Sequence, residues 1–561
     1  VKRGSFSKKA CGTVLVAVFA LTAALNAVAA QVPQARLNFG QLLTVQDPEG
    51  CTSIQVGRLA SADGSVITCH SCDGNYRTWL NIEPGRDNPP RAMKQIIWGK
   101  LHTETAWDVR RTTVKGEIPD VPHTYAYMNV GYPCMNEKGL AIGETTIGGN
   151  SLLRNQEGLF LIEELQMLTL ERCTTAREAI RLIGDLVKEY GYGDNGECLT
   201  FADSKEVWHF EIMGGGPFEI GAVWAAVRIP DEHVGVSANI PRIGELDLDD
   251  PDRYMASDNV FSLAEELDLW DPSGGEPFKF WKAYFRRDRE GNVTGKPFST
   301  REFFILSTLA PDLNLSMDME ELPFSVKPSR KISVQEVMAY YRQTYEGSEL
   351  DMSKNLMITP RRRDPRTREV VEGEPVPSPV VNNWILRGDM GSLLNTLVPG
   401  TVESQRTIAI SSCSYSQVIQ CRDWLPPEIG TIAWFSFDNP GQSPRIPIFA
   451  GTLSLPPSFE ICGQHRYRED SACWWFRRAN RLAMIKWGAT RDILEGAVAD
   501  LENKAFMELP SVEKIYMDLY RENPDKARGY ITQYTDNFAH AAMSKWWELG
   551  NRFFEMFARG W

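Results

Sequence analysis

Two hydrophobic periods divide this chain. Between residues 51 and 149, apolar and polar positions alternate in short runs broken by Gly, Asp and Asn, the pattern of strands and turns. The first run opens on Cys51 and continues Thr52-Ser53-Ile54-Gln55-Val56. A turn at Asp63-Gly64 returns it through Ser65-Val66-Ile67-Thr68-Cys69-His70, which predicts a hairpin with a rather long loop. Residues 124–130 are a further β-prone run, Asn136-Glu137-Lys138-Gly139 is a turn, and 140–146 is the returning strand. The period then lengthens, predicting two amphipathic helices over 160–172 and 175–190, the second capped by Thr175. Strands are predicted again over 198–203, 206–213 and 222–229, and later over 407–410, 414–418 and 432–437. From about residue 472 to the end helical spacing dominates, with Trp474, Phe476, Leu482, Trp487, Leu494, Trp546, Trp547, Phe553 and Phe554 as apolar anchors. Hairpins on either side of a helix pair predict an α+β fold with packed sheets and helices outside.

The first residues follow a different logic. Lys2, Arg3, Lys8 and Lys9 precede an apolar run over 13–25, and Ala27-Val28-Ala29 suits cleavage, so 1–30 reads as a secretory signal. The run is short for a transmembrane anchor, and no later segment has the length and apolarity of one. Residues 31–50 are polar, contain Pro33 and Pro48, and read as a short propeptide, with a disordered mature N-terminus as the alternative. The expected location is secreted or periplasmic. Domains then fall at 51–460, with an elaborated stretch over about 245–400, and at 461–561, a helical region.

At 561 residues with a net charge of -13, the chain lacks the basic footprint of a nucleic-acid binder. Arg361-Arg362-Arg363 with Arg366 and Arg368 is a local basic cluster, expected to be a solvated loop. Cys69-His70-Ser71-Cys72 has no second pair at zinc spacing, so buried thiols or one structural disulfide are expected, with no metal and no cofactor. Gly191-Tyr192-Gly193-Asp194-Asn195-Gly196 spells a phosphate-loop pattern, but it follows a helix and precedes a strand, so it is read as a plain loop. There is no H-E-x-x-H and no G-x-S-x-G.

Cys51 carries the candidate chemistry. Cleavage after Gly50 leaves a thiol and an α-amine on one residue, and an α-amine of pKa about 7.7–8.0 accepts a proton near neutral pH. Nucleophile and base then arrive together without a histidine.

Cys51-Thr52, Ala60-Ser61-Ala62-Asp63-Gly64-Ser65, Asp73 and the run from Met135 through Glu144 to Thr146 together resemble the cysteine-type N-terminal-nucleophile dipeptidases, the dipeptidase A family, relatives of penicillin V acylases and bile salt hydrolases. The resemblance covers most of the chain from Cys51 onward. It implies a four-layer αββα sandwich, a dipeptide or small peptide as substrate, and no nucleic-acid partner; a homo-oligomer stays open. It implies that Asp73 orients the Cys51 amine or thiol, that Asn239 donates to the tetrahedral oxyanion, and that Arg406 stands as the late active-site arginine. His70 occupies the place of an arginine, and Thr146 that of a second oxyanion asparagine. A dipeptidase must also read both ends of its substrate: Asp73 or Glu144 faces the amine, and Arg242 or Arg406 the carboxylate. Two other readings stand beside this one. The chain is an acylase of non-peptide amides, or a non-catalytic binding protein in which Cys51 stays internal.

Overall fold

The computed structural model describes residues 50–217 and 220–558; the expected signal segment and the expected propeptide up to residue 49 lie outside the described residues. Two large antiparallel sheets dominate. Their strands, in chain order, begin with β1 (Gly50–Val56), β2 (Val66–Asp73), β3 (Asn81–Glu83), β4 (Tyr127–Asn129) and β5 (Met135–Asn136). There follow β6 (Ala141–Thr146), β7 (Glu197–Ala202), β8 (Val207–Gly214), β9 (Ala222–Arg228), β10 (Val234–Ser237) and β11 (Tyr254–Ala256). The last are β12 (Ser325–Val326), β13 (Cys413–Cys421), β14 (Thr431–Phe437) and β15 (Ile446–Phe449). One sheet runs β12-β10-β1-β2-β13-β14-β15, and the other β11-β9-β8-β7-β6-β5-β4-β3.

The sheets face each other through β1 and β2 on one side and β6 and β7 on the other. Both β1 and β2 are buried along their whole length, polar residues included. Buried hydroxyls need partners, and here they find them across the gap. Ser53 Oγ lies 3.0 Å from Thr200 Oγ1, Thr68 Oγ1 lies 2.6 Å from the same atom, and Thr145 Oγ1 lies 2.5 Å from Ser237 Oγ. Gly143 marks the closest approach, since a Cβ there would stand 2.2 Å from the Cys69 carbonyl oxygen.

Helices cover the outer faces. The principal ones are α1 (Ile162–Arg172), α2 (Ala176–Tyr190), α3 (Thr300–Leu309), α4 (Val334–Tyr340), α5 (Ala472–Ile485), α6 (Trp487–Glu522) and α7 (Pro524–Ala558). Helix α2 buries Ala176, Ala179, Ile180, Ile183 and Val187, the spacing of one helical face, and packs on β7, β8 and β9. Its start is the capping box expected from Thr175: the hydroxyl accepts from Glu178 N, and the Glu178 carboxylate accepts from Thr175 N. On the opposite side α5 packs on β14 and α7 on β15, with α6 alongside α7. Phe437 bridges layers by stacking on Phe476 at 5.7 Å. The arrangement is α+β, with antiparallel sheets and a helical C-terminal region.

Most predicted elements form, with ends up to three residues from those expected, and the run over 124–130 divides into His123–Thr124 and Tyr127–Asn129. The strand expected over 407–410 does not: this stretch is irregular backbone. Its groups are satisfied off any ladder, Thr407 Oγ1 donating to Ala409 O, the Arg406 guanidinium to Thr407 O, and Ala409 N to Gln343 O. That leaves no ladder for it to join. The basic cluster is not a plain loop either, because Arg361–Arg363 pairs with Val370–Glu372 as an exposed hairpin. The glycine-rich stretch from Gly191 to Gly196 is a loop, as expected. No disulfide forms among the described cysteines.

Candidate active site

Cys51 enters the site because β1 pairs with β2 in one register: Gly50 faces Asp73, Cys51 faces Cys72, and Thr52 faces Ser71. The turn that sets this register is built as the sequence suggests. Gly64 takes φ 86°, and Asp63 Oδ1 accepts from Ser65 N at 3.0 Å. On its other edge β1 pairs with β10, whose chain runs on through Ala238 to Asn239.

Asn239 lies in the left-handed region at φ 65°, a conformation asparagine tolerates better than most residues. This places its side chain against Cys51. Asn239 Oδ1 accepts from Cys51 N at 2.8 Å and from Arg301 Nη2 at 2.9 Å, while Nδ2 donates to the Thr146 carbonyl at 2.7 Å. Two donors on one atom fix which end of the amide is oxygen. Asn239 thus presents its oxygen to Cys51 N, and one Nδ2 hydrogen is left beyond the bond to Thr146.

The Cys51 thiol donates to Glu144 Oε2 at 3.4 Å. Burial first, and then the Glu144 carboxyl, pushes this thiol well above its ordinary pKa, so the resting sulfur is protonated. Glu144 is wholly buried, which raises its carboxyl to about 7. It takes a hydrogen bond from Glu197, whose own carboxyl is pushed up by burial and then by Glu144. Thr146 Oγ1 donates to Glu144 Oε1 at 3.3 Å. His70 Nδ1 donates to the Glu144 carbonyl at 2.7 Å, and its ring packs against Tyr132 and Tyr415. Burial lowers His70 to about 4, so it stands neutral beside Glu144 at pH 7.

Asp73 pairs with Arg406, Oδ2 to Nη2 at 2.6 Å, and takes a hydrogen bond from Ser71 Oγ at 3.3 Å. Both members of this pair border Gly50: Asp73 is its cross-strand partner, and a Cβ on Gly50 would stand 3.0 Å from Arg406 Nη2. Cys51, His70, Asp73, Glu144, Thr146, Asn239 and Arg406 are therefore one connected group. Arg242 is not part of it. Its guanidinium donates to the carbonyls of Pro297, Leu322 and Pro323, which clamps two loops together. Both of its Nη atoms are taken by carbonyls and only the buried Nε is unpartnered, so it presents no free fork to a substrate carboxylate.

Three residues at the site escaped the sequence reading. Arg301 is buried and bridges β1 and the end of β10, donating to Cys51 O at 2.6 Å, Thr52 Oγ1 at 3.1 Å, Ala238 O at 2.8 Å and Asn239 Oδ1. Glu197 opens β7, and Tyr341 donates to the Thr52 carbonyl at 2.7 Å. A signal for Arg301 was present: Ser299-Thr300-Arg301-Glu302 is a capping box, and it fixes the first turn of α3. Glu302 extends the link by accepting from Ala238 N at 2.8 Å.

One thiol sulfur, one imidazole nitrogen and one carboxylate oxygen, from Cys51, His70 and Glu144, lie within 4.8 Å of one another. This donor set suits a thiophilic divalent ion once the thiol loses its proton, a loss that burial opposes.

The sequence model of Peptidase family C69 matches residues 50–499, beginning one residue before Cys51. A probable dipeptidase from Salmonella dublin is 24% identical over 424 residues, covering 72% of this chain and 82% of that protein. A probable dipeptidase from Latilactobacillus sakei is 24% identical over 505 residues, covering 86% and 90%. Dipeptidase A of Lactobacillus helveticus is 24% identical over 426 residues, covering 73% and 77%. With a match of this extent laid over a buried cysteine and its ring of polar partners, the chain belongs to peptidase family C69 and is a peptidase.

Proposed function

We propose that the protein is a secreted dipeptidase whose nucleophile is Cys51, exposed as the N-terminal residue when the Gly50–Cys51 bond is cut. The observation that carries this is the treatment of Cys51 N. A dedicated acceptor, Asn239 Oδ1, is itself held by Arg301 and meets that nitrogen at 2.8 Å. Once the bond is cut, the nitrogen becomes an amine that still donates one hydrogen to Asn239. Its lone pair is then free to take the thiol proton.

A base is needed at the moment of attack, because burial keeps the resting thiol protonated. The α-amine accepts the Sγ proton as sulfur bonds to the peptide carbonyl carbon. The carbonyl oxygen gathers negative charge, and the second Nδ2 hydrogen of Asn239 is the side-chain donor for it. The C–N bond breaks, the ammonium returns its proton to the leaving amine, and a thioester stays on Cys51. Water then adds to the thioester, the amine takes its proton, and the acid product leaves with the thiol restored. Asp73 and Arg406, paired beside Gly50, hold the entry to this end of β1. The two-sheet arrangement with helices outside fits the N-terminal-nucleophile sandwich that such a mechanism uses.

Two measurements test the reading. Intact mass of the active protein should place its first residue at Cys51, and Ala-Ala should be hydrolysed where penicillin V is not. Leaving one Gly before Cys51 turns the amine into an amide, and kcat should fall by about 10²–10⁴-fold, the usual share of general-base catalysis. A Gly-extended protein at full rate overturns the α-amine mechanism.

A further inference from the structure

Resting on the assignment of Cys51 as nucleophile, we propose that the Glu144–Glu197 carboxyl pair is the seat of the substrate's free α-ammonium and confines cleavage to the bond after a peptide's first residue. Four observations carry this. The first is reach. The attacked carbonyl carbon must come within about 3–3.5 Å of Sγ. The α-nitrogen of the same residue lies two bonds further on, within about 2.5 Å of that carbon. Glu144 Oε2, at 3.4 Å from Sγ, stands in the shell where this nitrogen arrives. One more residue between amine and scissile bond carries the nitrogen about 3.8 Å farther, out of that shell.

The second observation is charge. Asp73, the other carboxylate of the group, is already neutralised by Arg406. Among the described residues no lysine or arginine pairs with Glu144 or Glu197, and the nearby His70 is hydrogen-bonded through Nδ1 to a carbonyl. Two buried carboxyls sharing one proton carry a single negative charge, the complement of one ammonium, and the nearby Asp194 adds to the same negative field. The third is a spare acceptor: Glu197 is 3% exposed, its carboxyl faces the Thr146 hydroxyl and Glu144, and its Oε2 still has no hydrogen-bond donor among the described residues.

The fourth is the effect on the nucleophile. A negative carboxyl pair beside Sγ hinders removal of the thiol proton. An ammonium bound there cancels that field, so the thiol is easiest to deprotonate when a peptide with a free N-terminus is in place. The pair then acts on kcat as well as KM, and it rejects blocked peptides twice.

The experiment compares Ala-Ala with N-acetyl-Ala-Ala on the wild type, Glu144→Gln and Glu197→Gln, each confirmed by intact mass and circular dichroism. The wild type should prefer the free amine by about 10²-fold or more in kcat/KM, and the preference should collapse toward unity in Glu144→Gln. Glu197→Gln, which leaves the thiol contact intact, should lose part of it. Alkylation of Cys51 by neutral iodoacetamide, followed by peptide mass, should move to lower pH in Glu144→Gln, which checks the field on the thiol, while the loss of the free-amine preference checks the seat. An undiminished preference in both variants overturns the proposal. If the wild type hydrolyses neither peptide, the dipeptidase reading falls by itself, and calorimetry with alaninamide decides the seat. Binding that is lost in Glu144→Gln upholds it; equal binding, or none to the wild type, overturns it.

Discussion

Replacing Arg301 by Met isolates the residue that ties Cys51 to Asn239. The methionine keeps most of the volume and removes every donor. Arg301 makes four hydrogen bonds, to Cys51 O, Thr52 Oγ1, Ala238 O and Asn239 Oδ1, from a position only 5% exposed. Burial lowers its guanidinium to about 10, so a fraction of what the bonds contribute is offset by desolvation. Hydrogen bonds to a charged group contribute about 1.5–3 kcal/mol each, and a buried acceptor left bare costs about 1–3 kcal/mol. With the desolvation relief set against these, a net loss of about 2–4 kcal/mol is expected, read from urea midpoints. The catalytic effect is separate. Without Arg301, Asn239 Oδ1 keeps only the Cys51 nitrogen as donor, and a displacement near 1 Å at this atom lowers kcat by about 10²-fold. KM for Ala-Ala should change much less. Arg301→Lys, whose ammonium reaches one acceptor rather than a fork of four, should fall between. An Arg301→Met protein with wild-type kcat refutes the positioning role, whatever its stability.

Gly50→Val should slow release of the Cys51 N-terminus by about 10-fold or more, because its Cβ would stand 2.8 Å from Asn239 Oδ1 and both nearby side chains are held in place; an unchanged time course of intact mass counts against the crowding argument. The pH dependence of stability has a definite sign at Glu144. Its folded carboxyl, raised to about 7 by burial, lies above the unfolded value near 4.3, so ionising it opposes folding as pH climbs from about 4 through about 7, and below both values it contributes nothing. Glu144→Gln should therefore gain stability over the wild type at pH 8 and match it near pH 4, and an identical difference at both pH values would count against the buried-acid reading.

Much of the site was legible because its key parts are local. Cys51, the Asp63-Gly64 turn and Asp73 share one hairpin, and Glu144 and Thr146 sit on a strand whose alternation is plain. Asn239 was readable through the resemblance of its short motif, and the structure adds that its amide oxygen accepts from Cys51 N. Arg301 was not legible as a site residue. It lies 250 positions from Cys51 in an ordinary capped helix, and only tertiary packing brings the two together. Arg242 failed in the opposite way, since an arginine beside a motif asparagine looks functional until its guanidinium is seen to hold Pro297, Leu322 and Pro323. Residues 407–410 have strand composition, but side-chain bonds and a single bond from Ala409 N to Gln343 O satisfy their backbone instead of a ladder.

The hydroxyl pairs between the sheets act as an index mark. Cys51 belongs to one sheet and Glu144 to the other, so the 3.4 Å between sulfur and carboxylate is a distance between two separate bodies. Two sheets in contact through methyl groups alone slide at little cost. The pairs Ser53–Thr200, Thr68–Thr200 and Thr145–Ser237 are directional, and one offset satisfies all three. A slip of a single residue, about 3.3 Å along a strand, would strand buried oxygens at about 1–3 kcal/mol apiece. It would also carry the Cys51 sulfur out of hydrogen-bond reach of Glu144. A layer of serines and threonines that adds little net cohesion thereby calibrates the chemistry at its edge.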